Sequence, residues 1–142
     1  MQTRSNITRL LASLCAALML SCAGQAGGGK QVTAGQEFKL KVGQEVRLKA
    51  ERVKVRFASV VEDSRCPEGV DCIWAGNAKV SLVLEREGGA RRVVELNTNV
   101  EPKTAAAEGY EVRLTNLSPY PQADKKIDPK QYTATLVVGR VR

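Results

Sequence analysis

The chain has no histidine among its 142 residues, and this absence removes several kinds of chemistry. Without an imidazole, neither a Ser-His-Asp triad nor a Cys-His pair can form. Aromatic residues make up only 4% of the chain, which leaves few platforms for stacking nucleic-acid bases. Gly27-Gly28-Gly29 lies in a segment without hydrophobic periodicity, not between a strand and a helix as a nucleotide loop would. We therefore predict no catalytic residues, no cofactor and no nucleic-acid partner.

The apolar runs are short, and the first of them has the features of an export signal. Leu10 to Leu20 has 11 residues, whereas a membrane-spanning helix needs about 20. Arg4 and Arg9 precede it, the first acidic residue is Glu37, and small residues follow it around Cys22. A basic start, a short apolar run and small residues at its end are typical of a signal peptide.

The end of this signal, Leu18-Met19-Leu20-Ser21-Cys22, resembles the lipobox of bacterial lipoproteins, although Leu20 is larger than the usual residue. The resemblance implies cleavage before Cys22 and lipid on its thiol, so that acyl chains hold the protein on a membrane. The alternative is ordinary secretion with a free Cys22. In a Gram-negative host, Ala23 resembles the signal that sorts lipoproteins to the periplasmic face of the outer membrane.

The rest of the chain divides into a tether and one domain. We predict a signal peptide over 1–21, a flexible glycine-rich tether over 22–35 and a single folded domain over 36–142. Without the signal peptide, 20 basic and 15 acidic residues remain, a net charge of +5. The basic residues are scattered, which is typical of solvated sheet faces and also favours weak attraction to anionic lipid or polysaccharide.

Apolar residues alternate with polar ones through most of the domain, which is the period of a β-strand with one buried face. This spacing predicts about seven strands and an all-β fold, either an immunoglobulin-like antiparallel β-sandwich or a small barrel. A helical turn is possible only at 103–108. The alternating sets are Phe38, Leu40 and Val42; Val46 and Leu48; Val53, Val55 and Phe57; Val80, Leu82 and Leu84; Val94 and Leu96; Tyr110, Val112 and Leu114; and Tyr132, Ala134, Leu136 and Val138.

Two cysteines remain in the domain, Cys66 and Cys72, and export places them in an oxidising compartment. We predict that they form a disulfide. The alternative is a metal-binding pair, but zinc motifs usually place their cysteines two to four residues apart and require further ligands. Trp74, the single tryptophan, is expected to cap a small core beside the bridge.

The segment around these cysteines resembles a motif of small uncharacterised bacterial lipoproteins and secreted β-domains. Its two parts are Asp63-Ser64-Arg65-Cys66-Pro67 and Cys72-Ile73-Trp74-Ala75-Gly76. The resemblance extends to Ser118–Pro121 and to Tyr132–Val138, and therefore spans most of the folded region. It implies a family and no particular activity.

The same segment has three readings. Its Asp, Ser, Pro and Gly residues favour tight turns, so its role can be purely structural. Its carboxylates Glu62, Asp63, Glu68 and Asp71 could hold a cation, although their order matches no known calcium loop. A disulfide-closed loop is also ordered before binding, which favours protein recognition. The candidate binding residues are Asp63, Ser64, Arg65, Pro67, Glu68, Asp71 and Trp74.

We therefore expect a membrane-anchored envelope lipoprotein whose non-catalytic β-sandwich acts as a binding or structural module for an envelope protein or glycan. One alternative is an inhibitor of an envelope enzyme that acts through the stapled loop. The other is an envelope hydrolase with paired carboxylates. Its acids would come from Glu62, Asp63, Glu85, Glu95 and Glu111.

Overall fold

A computed structural model describes residues 29–141 of the chain, which fold into two stacked β-sheets. A short 3-10 helix, Pro129–Gln131, precedes the last strand. The nine strands are β1 (Gln31–Val32), β2 (Glu37–Lys41), β3 (Glu45–Leu48), β4 (Val53–Asp63), β5 (Ala78–Arg86), β6 (Arg91–Asn97), β7 (Thr104–Ala107), β8 (Tyr110–Ser118) and β9 (Thr133–Arg140).

The first sheet has the order β1-β3-β4-β5-β6, and the second has the order β2-β9-β8-β7. The two sheets remain separate, so the fold is the predicted β-sandwich and not the small-barrel alternative. The longest pairing joins β4 to β5, from Val53 opposite Arg86 to Asp63 opposite Ala78. The connection from β4 to β5, at the Asp63 end of this pair, contains both cysteines.

The core lies between the sheets and follows the predicted alternation. Along β4, Val53, Val55 and Phe57 are fully buried while Arg56 is exposed. Burial of this kind is worth roughly 1.5–3 kcal/mol for each large apolar side chain. The bulkiest buried side chains come from both sheets: Phe57, Leu40, Leu48, Leu82, Leu84, Leu96, Leu117 and Leu136.

The structure corrects three expectations. The predicted tether is too long, because Gln31–Val32 pairs with β3 and Gly35 donates a backbone hydrogen bond to Val138. The β1–β3 pairing is parallel, whereas only antiparallel pairs were expected. The possible helical turn at 103–108 is wrong, since Thr104–Ala107 forms strand β7 against β8. Alanine favours helix intrinsically, and here pairing with the neighbouring strand overrides that preference.

The predicted signal peptide, the lipidation residue Cys22 and the tether up to residue 28 lie outside the described residues. Within residues 29–141, no helix has the length and hydropathy that crossing a membrane requires.

Candidate functional site

The candidate site is the stapled loop, residues 64–77, which connects β4 to β5. Its two arms continue the hairpin beyond the sheet. The Ser64 amide donates to the Asn77 carbonyl at 2.7 Å, and the Cys66 amide donates to the Ala75 carbonyl at 2.9 Å. The Ser64 hydroxyl adds a bond of 2.9 Å to the same Asn77 carbonyl. The two arms at the base of the loop are therefore hydrogen-bonded to each other like a pair of β-strands.

Gly76 allows the arms to approach so closely. A Cβ atom at this position would lie 1.9 Å from the Ser64 carbonyl oxygen, and the φ angle of Gly76 is +68°. Side chains other than that of glycine are disfavoured at such φ values. Both constraints require glycine here.

Cys66 and Cys72 form the predicted disulfide, with their Cα atoms 5.9 Å apart. The bridge closes a turn in which Gly69 has a φ angle of +80° and the Val70 amide donates to the Pro67 carbonyl. In the chain-entropy model, a bridge across so short a loop contributes about 2–3 kcal/mol. The closed turn is thus held covalently as well as by its backbone bonds.

Asp63 and Arg65 form a buried ion pair at the base of the loop. Arg65 Nε lies 2.8 Å from Asp63 Oδ1, and Arg65 Nη2 lies 2.6 Å from Asp63 Oδ2. Arg65 is only 5% exposed. Tyr132, immediately before β9, donates its hydroxyl proton to Asp63 Oδ2 at 2.9 Å. A buried charge pair needs its remaining polar atoms satisfied, and these bonds satisfy both oxygens of the carboxylate.

Arg65 also joins the two sheets. Its Nη1 donates to the Leu117 carbonyl at 2.6 Å, and its Nη2 donates to the Pro119 carbonyl at 2.9 Å. Its guanidinium lies 4.9 Å from the centroid of the Tyr120 ring, within the range of a cation–π contact. Arg65 was expected to bridge an acid or a carbonyl across the loop. It bonds the Asp63 carboxylate of the first sheet, the Leu117 carbonyl of the second sheet and the Pro119 carbonyl, which lies just after β8.

The separate segments of the sequence motif meet at this position. Ser118–Pro121 supplies the Pro119 carbonyl to Arg65 and the Pro121 carbonyl to the Glu68 amide, the latter at 2.9 Å. Tyr132 opens the last motif segment and binds Asp63. The motif residues around Arg65 thus hold the loop against the end of the sandwich, which supports the structural reading for Asp63, Ser64 and Arg65.

The environment of this cluster shifts two pKa values. Burial raises the pKa of Asp63, but hydrogen bonds from Arg65 and Tyr132 outweigh it, so the pKa of this carboxyl lies below its ordinary value. Burial and the hydrogen bond to Asp63 raise the pKa of Tyr132 to about 12. At neutral pH the cluster holds a carboxylate, a guanidinium and a neutral phenol.

These shifts predict a plateau of stability with pH. The contribution of Asp63 is present above its unfolded pKa of 3.8 and is lost as the pH falls through the lower folded value. That of Tyr132 is present below its unfolded pKa of 10.0 and is lost as the pH rises through about 12. Urea unfolding followed by circular dichroism should show the acid limb becoming shallower in Asp63→Asn, but not in the control Glu62→Gln. Equal acid slopes in wild type and Asp63→Asn would contradict the assignment.

The tip of the loop is strongly exposed and apolar. Ile73 is 95% exposed and Trp74 is 82% exposed. The expectation that Trp74 caps a core beside the disulfide is therefore wrong. A tryptophan next to a bridge suggests packing, but the backbone bonds of this loop hold Cys66, Glu68 and Ala75 and leave the ring of Trp74 in solvent. Val70, across the closed turn, is 44% exposed.

An asparagine cluster beside the loop had no recognisable signal in the sequence. Asn77 Nδ2 donates to Asn97 Oδ1 at 2.8 Å, and the Asn99 amide donates to Asn77 Oδ1 at 3.1 Å. Asn99 Nδ2 then donates to the Gly76 carbonyl at 2.7 Å. The β6–β7 connection therefore supports the second arm of the loop as the Ser118–Pro121 segment supports the first.

The acidic residues of the segment do not converge. Within residues 29–141, no group of three or more acidic or cysteine side chains is placed to hold a metal ion. Asp63 is paired with Arg65, and Glu62 lies opposite Lys79 of β5. Glu68 and Asp71 are exposed and are the only charged residues between positions 66 and 77, so the outer loop is acidic on a basic domain.

Two carboxylates of the hydrolase alternative, Glu62 and Glu95, share one recess, and the others lie apart. The recess is shallow and lies on the outer face of the first sheet. Glu85 lies toward the opposite end of β5, opposite Lys54, and Glu111 is on β8 of the other sheet. Lys79 lines the same recess as Glu62 and Glu95, so acidic and basic residues are mixed there as they are on a solvated sheet face.

Comparison with protein-family models, curated proteins and solved structures finds no match to this chain.

Proposed function

We propose that this protein is a lipid-anchored envelope module that binds another protein by inserting Ile73 and Trp74 into an apolar pocket. The observation that carries the proposal is their exposure, 95% and 82%. Single exposed apolar residues are common on protein surfaces. Here two adjacent large side chains project from a loop that is fastened by a disulfide, a backbone ladder and a buried arginine.

The rigidity of the loop supports a role in recognition. A loop that is ordered before binding avoids much of the entropy cost of association. Tryptophan is also enriched among the residues that dominate binding energy at protein interfaces. Because Glu68 and Asp71 are the only charged residues between positions 66 and 77, the complementary pocket has a basic rim.

In this proposal, the predicted lipid on Cys22 attaches the domain to the membrane. The nine residues from Cys22 to Lys30 span at most about 30 Å when extended. The domain then works close to the membrane surface, and its partner is an envelope protein. We propose a non-catalytic mode of action, since Asp63 is paired with Arg65. Where the pocket is the active site of an envelope enzyme, binding of the loop inhibits that enzyme.

Cys22→Ser should abolish labelling of the protein by a fatty-acid probe in the native host, because the thiol is the acylated group. Gel fluorescence of the immunoprecipitated protein measures the label. Cys15→Ser, which changes the other cysteine of the N-terminal region, is the matched control and should be labelled normally. Full labelling of the Cys22→Ser protein would refute the lipidation assignment.

Binding by the tip can be tested by photocrosslinking in the intact envelope. A photoreactive residue at position 73 should give a discrete protein adduct, and Trp74→Ala in the same chain should lower its yield about 30-fold, the effect of losing roughly 2 kcal/mol at a hot spot. Trp74→Phe should keep part of the yield.

Two controls make this result specific. The same photoreactive group at Val93, which is 66% exposed on β6, should give no such adduct. Trp74→Ala should change the free energy of unfolding by less than about 0.5 kcal/mol, as for other exposed positions. An adduct whose yield does not depend on Trp74 would overturn the proposed function.

A further inference from the structure

A groove of about 380 Å³ lies beside the stapled loop, between the end of β4 and the segment that leads to β9. Its walls include Val60, Val61, Pro121 and Ile127. The strand register shifts between Val60 and Glu62, and such a bulge bends a strand and turns its side chains. Val61 is consequently 51% exposed and adds apolar surface to the open groove.

One edge of the groove is basic, whereas the exposed Glu62 and the Arg65-bound Asp63 line its other side. Lys125 and Lys126 both line the basic edge, and the Lys125 ammonium donates to the neutral side-chain oxygen of Gln122 at 2.9 Å. The groove therefore offers the tip apolar walls and, along the Lys125–Lys126 edge, positive charge.

We infer that the groove receives the Ile73–Trp74 tip of a second copy of this chain. The inference rests on the proposed function of the tip and identifies one partner. Apolar side chains of the tip fill the apolar groove, while Asp71 and Glu68 of the incoming loop meet Lys125 and Lys126. Arranged in this way, charges of opposite sign steer the encounter and fix its orientation.

The positions of tip and groove favour a closed pair. Both lie at the same end of the sandwich, because the Glu68 amide binds the Pro121 carbonyl and Asp63 borders both features. Two copies related by a twofold axis exchange tips reciprocally, and such an isologous contact closes on itself without forming a chain of molecules.

The pairing is weak. One tryptophan buries roughly 150–250 Å², so two tips and the two groove surfaces they cover bury roughly 600–1,000 Å² in total. That area is below the roughly 1,200–2,000 Å² of stable protein complexes. In a transient pair of this kind, the tip is released readily and can then bind another envelope protein.

The test uses full-length chains in the native envelope. Two copies with different epitope tags are expressed together, one of which carries a photoreactive residue at position 73. We expect an adduct that contains both tags, with the crosslinked peptide mapping to the groove residues 60–61 or 121–129. The double change Lys125→Glu and Lys126→Glu in the second copy should lower its yield roughly tenfold by placing like charges together. Lys39→Glu, on the exposed face of β2, should not.

A charge exchange completes the test. Asp71→Lys in the photoreactive copy should restore the adduct with the doubly substituted second copy to at least half of the original yield. Adducts only with other proteins would overturn the pairing and leave the proposed function standing, whereas no adduct at all would overturn both. An adduct of both tags that maps elsewhere, or is insensitive to the charge changes, would also refute tip exchange.

Discussion

Replacing Arg65 by alanine should lower the free energy of unfolding by roughly 3–5 kcal/mol, the cost of breaking a buried ion pair by removing one partner. Asp63 would remain as a largely buried carboxylate without its guanidinium, and the Leu117 and Pro119 carbonyls would lose their donor. Urea unfolding followed by far-UV circular dichroism measures the change. The reduced stability should be accompanied by a rise in the pKa of Asp63.

Arg140→Ala is the matched control. Arg140 also makes a two-bond ion pair, with Glu51, but its side chain is 69% exposed. Exposed ion pairs contribute about 0–1 kcal/mol, so this change should cost far less than the removal of Arg65. Similar losses for the two variants would show that Arg65 does not hold the sheets together as described.

Gly76→Ala should lower the free energy of unfolding by roughly 2–4 kcal/mol. The left-handed backbone conformation costs a residue with a Cβ atom about 1–2 kcal/mol. The new Cβ would also lie 1.9 Å from the Ser64 carbonyl oxygen, so the arms must separate and lose hydrogen bonds worth about 0.5–1.5 kcal/mol each. Thermal or urea unfolding of the variant gives the magnitude.

Gly88→Ala separates the two causes. Gly88 has a φ angle of +71°, but no atom lies within 4 Å of the position that a Cβ would take there. It should therefore show the backbone cost alone. The Gly76→Ala protein should in addition lose the Trp74-dependent crosslink, because the arm that carries the tip has moved. If the two glycine variants lose the same stability, the close approach of the arms does not contribute.

The features that local pattern predicts well are those in which a residue's own neighbours determine the outcome. Alternation along Val53, Val55 and Phe57 identified a buried strand face, because a strand's side chains alternate wherever one side meets a core. The disulfide followed from the expectation of export, the two cysteines left in the domain and the turn residues between them. The β-sandwich class followed from the number of such strands.

Other features depend on partners distant in sequence. The expectation for Trp74 failed because the residues around position 74 do not indicate that the hairpin has already left the sheet. Arg65 is buried because carbonyls more than 50 residues later approach it. The polar residues next to Arg65 in the sequence do not predict this burial. The Ala105–Ala107 segment became a strand only because β8 offered an edge.

The residues that fasten the stapled loop and the residues that it displays are different sets. Arg65, Gly76 and Asn77 bind the rest of the domain, whereas Ile73 and Trp74 are almost wholly exposed. The domain is for this reason a ready scaffold for engineering: the displayed positions can be randomised in a library while the fastening positions are kept. Selection from such a library would yield binders for new targets that retain the folding of the parent domain.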